Sequence, residues 1–274
     1  MSGAGRPGVL VVIPARVAST RLPRKPLLPA AGRPLIVHVW ERARQIPSAT
    51  AVVVATDSPE VAEAVRAAGG EAVMTSASHA SGTDRVAEVA RARGEELIVN
   101  VQGDEPDLEV ADVEALVAAM LRDPSLPMGT IAAPAGEVDR VRPSVVKVVR
   151  DRSGRALYFS RAAIPHVRDA PDRGALPAEA GAARPGNGSP GAPAPLLRHV
   201  GVYAFRRQAL LRFAELPPSP LERTEMLEQL RALENGWAVH VVVGRRAPAG
   251  IDTPEDYEAF RRRVEGGADR GAEG

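Results

Sequence analysis

Val9-Leu-Val-Val-Ile13 runs without a break into Pro14-Ala-Arg-Val-Ala-Ser-Thr-Arg-Leu-Pro-Arg-Lys-Pro26, and this junction decides the fold. A short, continuous apolar run is the mark of a strand buried on both faces, as in parallel sheets. Comparable runs recur at Ala51–Ala55, Leu97–Val101, Val145–Val149 and Val239–Val243. Helix signals lie between the early ones. Pro34 can open a helix over Leu35–Gln45, and Ser58 is an N-cap ahead of Pro59 at the first helical position. Val113, Leu116, Val117, Met120 and Leu121 follow the spacing of one apolar helix face. Strands alternating with helices give βαβ units, hence an α/β fold with a mostly parallel sheet flanked by helices. Ligands of such sheets bind beyond the carboxyl ends of the strands, which is where the Pro14–Pro26 loop lies.

Composition narrows the function classes. The 274 residues suffice for one large α/β domain, or one domain with a small insertion, and 45% are apolar. A net charge of +1 and 3% aromatic residues give no footprint for nucleic acid or an anionic membrane. With no cysteine, disulfides, thiolate catalysis and cysteine-ligated zinc are excluded. No apolar stretch approaches the roughly 18 residues of a membrane helix, and no signal-peptide order precedes the first strand. A soluble, cytoplasmic protein is expected. Of 35 basic residues only Lys25 and Lys147 are lysines. A coding bias accounts for the arginine excess; the two lysines hint at places where a compact ammonium is not interchangeable with a guanidinium.

The Ala170–Pro195 segment is mostly Ala, Pro and Gly and reads as a mobile loop. The expected layout is a flexible N-terminus over 1–8, a domain over 9–264 carrying that loop, and a disordered tail over 265–274. Gly3-Ala-Gly-Arg-Pro-Gly8 fits a dinucleotide-binding pattern but precedes the first strand instead of following it. Asn187-Gly-Ser189 fits a glycosylation sequon, without meaning in a cytoplasmic loop. No Walker A pattern occurs.

The loop after the first strand gathers Arg16, Arg21, Arg24 and Lys25 with the hydroxyls of Ser19 and Thr20. Small residues let backbone amides approach an anion while Arg and Lys neutralise it, which favours triphosphate binding over a solvated basic loop. Loop spacing alone names neither the base nor the reaction. Asp104, in Gln102-Gly-Asp104 just past the Leu97–Val101 strand, suits a hard cation such as Mg²⁺. Asp252 precedes Thr253-Pro254, with Asp256 completing a capping box; local capping and a functional role both remain open for it. Thr83 is expected to cap a helix over Asp84–Ala90. Glu225, Glu228 and Gln229 share one face of a helix, opposite Met226, Leu230 and Leu233, so that face meets either solvent or a polyhydroxylated ligand. His199 and Tyr203 could point to one pocket from a strand-like run. His38 and His79 are expected to be structural. Lys147, within Val-Val-Lys-Val-Val, either snorkels out of the sheet or points to an anionic pocket.

At this point the loop resembles the P-A-R-x-x-S-T-R-L-P-x-K-P signature of the 3-deoxy-manno-octulosonate (Kdo) cytidylyltransferase family. The resemblance continues in order through Gly32–His38, Val54–Asp57, His79–Arg85, Ile98–Pro106, Tyr158–Arg161, Arg198–Tyr203, Pro218–Glu222, Glu225–Arg231 and Ile251–Asp256, covering residues 9 to about 264 apart from 170–195. It departs at Arg24, where the family usually has glycine, and at Val17, where an aromatic is common. The resemblance implies a fold of the nucleotide-diphospho-sugar transferase type with a small dimerisation subdomain, acting as a homodimer. It implies attack by the anomeric hydroxyl of Kdo on the α-phosphate of CTP, giving pyrophosphate and CMP-Kdo for the lipopolysaccharide inner core. Carried onto this chain, it makes Arg21, Lys25, Asp104 and Asp252 catalytic, with Asp104 and Asp252 holding Mg²⁺. Pro14, Ala15, Arg16, Ser19, Thr20, Arg21, Lys25, Ser81, Gly82, Thr83, Arg85 and Gln102 would bind the nucleotide. Gln102, Arg161, His199, Tyr203, Glu225, Glu228 and Gln229 would bind the sugar, Arg161 through its carboxylate. The competing readings are a sialic-acid cytidylyltransferase, whose loop is similar but whose Gln102–Pro106 and Glu225–Arg231 counterparts differ, and an inactive nucleotide-binding module, which the presence of Lys25, Asp104 and Asp252 disfavours.

Overall fold

The computed structural model describes residues 8–18, 21–166, 194–248 and 250–269, so most of the Ala170–Pro195 stretch, with Ser19 and Thr20, lies outside the described residues. The chain divides into two compact units, Met1–Glu114 with Pro248–Gly274, and Ala115–Ala247.

In the first unit, β1 (Val9–Ala15) is buried at all seven positions, as its apolar run requires. A two-residue hairpin, β2 (Pro29–Ala30) with β3 (Arg33–Pro34), leads to α1 (Leu35–Ala43). Then come β4 (Ala51–Thr56), α2 (Pro59–Ala67), β5 (Glu71–Met74), α3 (Gly82–Arg91), β6 (Leu97–Asn100) and α4 (Val110–Arg122), whose C-terminal part belongs to the second unit. The strand order β6-β1-β4-β5 is wholly parallel, with Leu10 opposite both Ala51 and Ile98. On α4, Val113, Leu116, Val117 and Met120 are at most 1% exposed, while Leu121, expected on the same face, is half-buried at its margin.

The second unit contains β7 (Met128–Pro134), α5 (Glu137–Val141), β8 (Lys147–Arg150), β9 (Ala156–Ser160), β10 (Leu197–Arg206), α6 (Arg207–Glu215), α7 (Pro220–Glu225), α8 (Leu230–Glu234) and β11 (Val239–Val243). Its pairing is mixed: β11 is parallel to β7, whereas β10 with β7, β10 with β8 and β8 with β9 are antiparallel. The α/β class is as expected, and apart from the short β2–β3 hairpin the antiparallel ladders described belong to this unit. The chain returns to the first unit in α9 (Pro254–Asp269). That helix extends past residue 265, so the tail expected from there is helical as far as Asp269.

Candidate active site

Because β1, β4 and β6 are parallel, the residues after each emerge on one edge of the first unit. Arg16 follows β1, Asp57 and Ser58 follow β4, and Val101–Asp104 follow β6. Gly103 lets these loops approach: a Cβ there would stand 2.8 Å from the Pro14 carbonyl oxygen, so any other residue would force the two loops apart. On the opposite flank, Leu22, Ala30, Leu35, Ile251 and Phe260 form one buried cluster. Burying a Leu or Ile side chain contributes about 1.5–3 kcal/mol, and here it fixes the immediate neighbours of Leu22 and Ile251, namely Arg21 and Asp252. Asp252 is also held from behind. Thr253 and Asp256 make the expected reciprocal capping box, Asp256 N to Thr253 Oγ1 at 3.2 Å and Thr253 N to Asp256 Oδ2 at 2.9 Å. Since Asp256 does the capping and also accepts from the Asp252 amide at 3.1 Å, the Asp252 carboxylate is left for other work.

The outcome is a cleft of about 520 Å³ lined by Pro14, Ala15, Arg16, Arg21, Lys25, His79, Ser81, Gly82, Arg85, Gln102, Asp104 and Asp252. At one end Lys25 joins the two aspartates. Its Nζ donates to Asp104 Oδ2 at 2.7 Å, to the Ile251 carbonyl oxygen at 2.7 Å and to Asp252 Oδ1 at 3.3 Å. Arg21 Nη2 reaches the same Asp252 oxygen at 3.4 Å. Carboxylates 148 residues apart in the chain therefore meet at one cation. Two carboxylates and a carbonyl are hard oxygen donors of the kind a small divalent cation takes. Among the described residues no group of three or more His, Asp or Glu side chains could hold a metal alone, so a cation at Asp104 and Asp252 would complete its shell from substrate and water. The Ile251 carbonyl left no sequence signal, because every residue carries one.

The helix α3 starts differently from expectation. Ser81, not Thr83, is its N-cap: Ser81 Oγ accepts from Asp84 N at 3.1 Å and Asp84 Oδ2 from Ser81 N at 3.0 Å. An Asp three residues beyond a Ser is the better box, and Thr83 is buried inside the first turn, away from the cleft lining. Arg85 is 3% exposed and tied to Asp57 Oδ2 at 3.0 Å and to the Thr75 hydroxyl; it braces the strand ends. His79 pairs with Glu88, whose carboxyl is held below its ordinary range first by the Ser76 amide and then by His79. His38 bonds the Ala30 carbonyl at 2.9 Å and packs edge-on to Phe260, the structural role expected.

Apart from Gln102, which lines the cleft of the first unit, the predicted sugar-side residues belong to the second unit, and two expectations change there. Glu225, Glu228 and Gln229 do not share a helix face. The helix α7 stops at Glu225, Met226 adopts a left-handed conformation (φ 53°) with 76% exposure, and Glu228 and Gln229 form the turn before α8. Met226 accordingly lies outside the apolar face assigned to it, while Leu230 is fully buried. The guanidinium of Arg161 is engaged by backbone: Nε donates to Glu225 O at 2.8 Å, Nη1 to Pro143 O at 3.0 Å and Nη2 to Met226 O at 3.4 Å. Arg161 thus caps the end of α7, where orphan carbonyls need donors. Both Glu225 oxygens are also engaged, Oε1 by the Ser160 hydroxyl at 2.6 Å and Oε2 by the Arg161 amide at 2.9 Å. His199 and Tyr203 do meet, with ring centroids 5.3 Å apart. Tyr203 donates to Gln229 Oε1 at 3.1 Å, leaving the buried Gln229 Nε2 without a partner, and His199 Nε2 lies 2.9 Å from Thr130 Oγ1. Desolvation pushes the His199 pKa down to about 3 and raises that of Tyr203. Lys147 neither snorkels nor faces a pocket: it is fully buried and donates to the carbonyls of Arg142 (3.0 Å), Val145 (2.7 Å) and Arg161 (2.5 Å).

Comparison with known proteins places this cleft in a family. Residues 10–243 match the cytidylyltransferase family model. A 3-deoxy-manno-octulosonate cytidylyltransferase of Syntrophotalea carbinolica is 48% identical over 261 residues, 94% of this chain and 99% of that protein. One of Geobacter sulfurreducens is 46% identical over 91% of this chain and 96% of its own. The solved structure of a CMP:2-keto-3-deoxy-manno-octonic acid synthetase complexed with CTP superposes with a TM-score of 0.83 at 40% identity, covering 94% of this chain and 98% of that one. A 4-diphosphocytidyl-2C-methyl-D-erythritol synthase of Anaerococcus prevotii, 12% identical with a TM-score of 0.58, shares the fold alone. By sequence and by fold, the chain belongs to the 3-deoxy-manno-octulosonate cytidylyltransferase family.

Proposed function

We propose that this chain transfers CMP from CTP to the anomeric hydroxyl of Kdo, as a cytoplasmic, magnesium-dependent homodimer. The hydroxyl oxygen forms a bond to the α-phosphorus, the bond from that phosphorus to the bridging oxygen breaks, pyrophosphate leaves and the hydroxyl proton passes to solvent. The product, CMP-Kdo, serves the lipopolysaccharide inner core. The observation that carries this reading is the meeting of Asp104 and Asp252 at Lys25.

Transfer at phosphorus asks little covalent chemistry of a protein; positioning and charge neutralisation supply most of the rate. Arg16, Arg21 and Lys25 neutralise the triphosphate, with Pro14, Ala15, Ser19 and Thr20 forming its cradle. Ser81, Gly82 and Arg85 shape the base side, Thr83 supports them only from behind in the first turn of α3, and Gln102 serves both nucleotide and sugar. Asp104 and Asp252 would hold Mg²⁺, which when bound would supply neutralisation of the charge that develops in phosphoryl transfer. For the sugar, Glu225, Glu228 and Gln229 offer acceptors and the unpartnered Gln229 Nε2 a donor, backed by His199 and Tyr203. To meet the acid group, Arg161 would have to give up a backbone partner.

The test is pyrophosphate release with Mg²⁺, each of the four nucleoside triphosphates, and either Kdo or N-acetylneuraminate. Turnover is expected with CTP and Kdo alone, and equal turnover with N-acetylneuraminate would favour the sialic-acid reading. Asp104→Ala and Asp252→Asn should each lower kcat roughly 100-fold or more while thermal unfolding stays near wild type, since each removes several kcal/mol of transition-state charge stabilisation. Near wild-type release by either variant would remove the metal role from that aspartate.

A further inference from the structure

The Lys25 ammonium is lodged in a three-sided nest of oxygens: Asp104 Oδ2, Asp252 Oδ1 and the Ile251 carbonyl. Its three N–H donors match three acceptors, and its side chain is only 15% exposed. The acceptors come from two chain segments fixed independently of the lysine, Asp104 by its loop after β6 and Ile251 by its buried side chain. Without a cation between them, the two carboxylates would face a common point with like charge. The ammonium therefore stands in the free protein where the donor set would take a metal ion.

We infer that Lys25 is the resident counter-ion of an otherwise cation-accepting site, and that nucleotide must draw it off before a divalent ion binds tightly. This rests on the assignment of Asp104 and Asp252 as the metal carboxylates. A divalent ion approaching the free protein must displace an ammonium making three hydrogen bonds, and Mg²⁺ sheds its own water reluctantly. A triphosphate offers the ammonium new oxygens of higher charge, so the site opens as the lysine leaves. Cation and nucleotide then bind as a coupled pair, and linkage makes the coupling reciprocal: each tightens the other by the same factor. A compact ammonium on a flexible stem can move between two oxygen sets, whereas a planar guanidinium fork cannot fill a three-sided nest.

The probe is Mn²⁺, followed by the electron paramagnetic resonance of the free ion, with and without CTP and always without Kdo so that no turnover occurs. For wild-type protein, Mn²⁺ should bind about tenfold or more tightly once CTP is present, after allowance for Mn²⁺–CTP in solution, a range typical of coupled sites. Equal affinity in both conditions overturns the inference, with no variant needed. Lys25→Met should bind Mn²⁺ about tenfold more tightly than wild type in the absence of CTP, because the competitor is gone; an unchanged or weaker affinity in a variant that melts as wild type also overturns it. Adding Asp104→Asn to Lys25→Met separates the two readings. Loss of the gained affinity supports both. Persistence of the gain sinks the carboxylate assignment and this inference with it, whereas absence of any gain, with Asp104→Asn still abolishing Mn²⁺ binding in the presence of CTP, sinks the inference alone.

Discussion

Both lysines of this arginine-rich chain sit in the same kind of place. Lys25 and Lys147 each donate to three oxygen acceptors, a demand met by a rotating ammonium and not by a planar fork. They differ in charge. Lys25 faces two carboxylates at the edge of a cleft; Lys147 faces only carbonyls, and burial, partly offset by Glu225, pulls its pKa below the ordinary value. Lys147 therefore acts as a structural pin joining the loop after α5 to the end of β9. Removing it strands one buried carbonyl, that of Val145, and the part-buried carbonyls of Arg142 and Arg161; a buried acceptor left unmade costs roughly 1–3 kcal/mol. Lys147→Met should lose about 3 kcal/mol in urea unfolding, and Lys147→Arg should fail to restore it; a loss under about 0.5 kcal/mol, the scale of a surface substitution, would mean the carbonyls find other donors. Arg24 illustrates the opposite case. Its left-handed backbone (φ 57°) is one that glycine adopts without strain, in keeping with the glycine that the family resemblance implies at this position, and the arginine gains an exposed ion pair with Glu60 in return. Composition singled out both lysines, but a side chain whose partners are backbone carbonyls leaves no pattern along the chain, so the role of Lys147 could only emerge from the fold.

The elements were legible where a side chain signals to its own neighbours. The parallel strands, the helices begun by Pro34 and Ser58-Pro59, and the Thr253–Asp256 capping box all depend on residues a few positions apart. Thr83 was misread because two hydroxyl residues compete for one cap and the winner is the one with an acidic partner three positions on. The break between α7 and α8 was illegible for a different reason. Nothing in Glu225-Met-Leu-Glu-Gln-Leu forbids a helix; the interruption is stabilised from outside, by Arg161 capping the last carbonyls and by Glu225 bound to Ser160 and the Arg161 amide. The strand β10 permits a test of what enclosure by neighbouring elements does. His199 is packed edge-on to Phe159 at 5.2 Å and against Tyr203, and its pKa falls from 6.5 to about 3. With the folded pKa below the unfolded one, the unfolded chain takes up a proton that the folded one refuses. Stability is thus complete above pH 6.5 and declines as pH falls toward 3, by up to about 1.4 kcal/mol per unit. Between pH 7.5 and pH 5, wild type should lose about 2 kcal/mol more than His199→Gln. Comparing the two cancels the contribution of His240, whose depressed pKa has the same sign. Parallel pH profiles for the two proteins would show that His199 titrates normally.

At the scale of the molecule the two units differ in what they leave uncovered. Of six large apolar side chains exposed among the described residues, only Met74 belongs to the first unit; Val138, Val141, Leu157, Leu221 and Met226 belong to the second. Singly such residues need no explanation, but their concentration in one unit does. Val138 and Val141, each more than 60% exposed, are three residues apart on α5 and so share a side of it. Leu157, 62% exposed, lies on β9, whose ladder described here is to β8 alone. An uncovered strand edge carrying an apolar residue invites another chain, and in a homodimer the same surface of each copy would be covered at once. The second unit thereby fits the dimerisation role that the family resemblance implies. By light scattering at micromolar concentration the protein should have twice its chain mass of 28.9 kDa. Val138→Asp combined with Leu157→Arg should halve that value, because charges brought into an apolar contact lose their hydration without gaining partners. A wild-type mass of one chain would exclude the homodimer outright. A doubly substituted protein that kept twice the chain mass would move the contact off this surface.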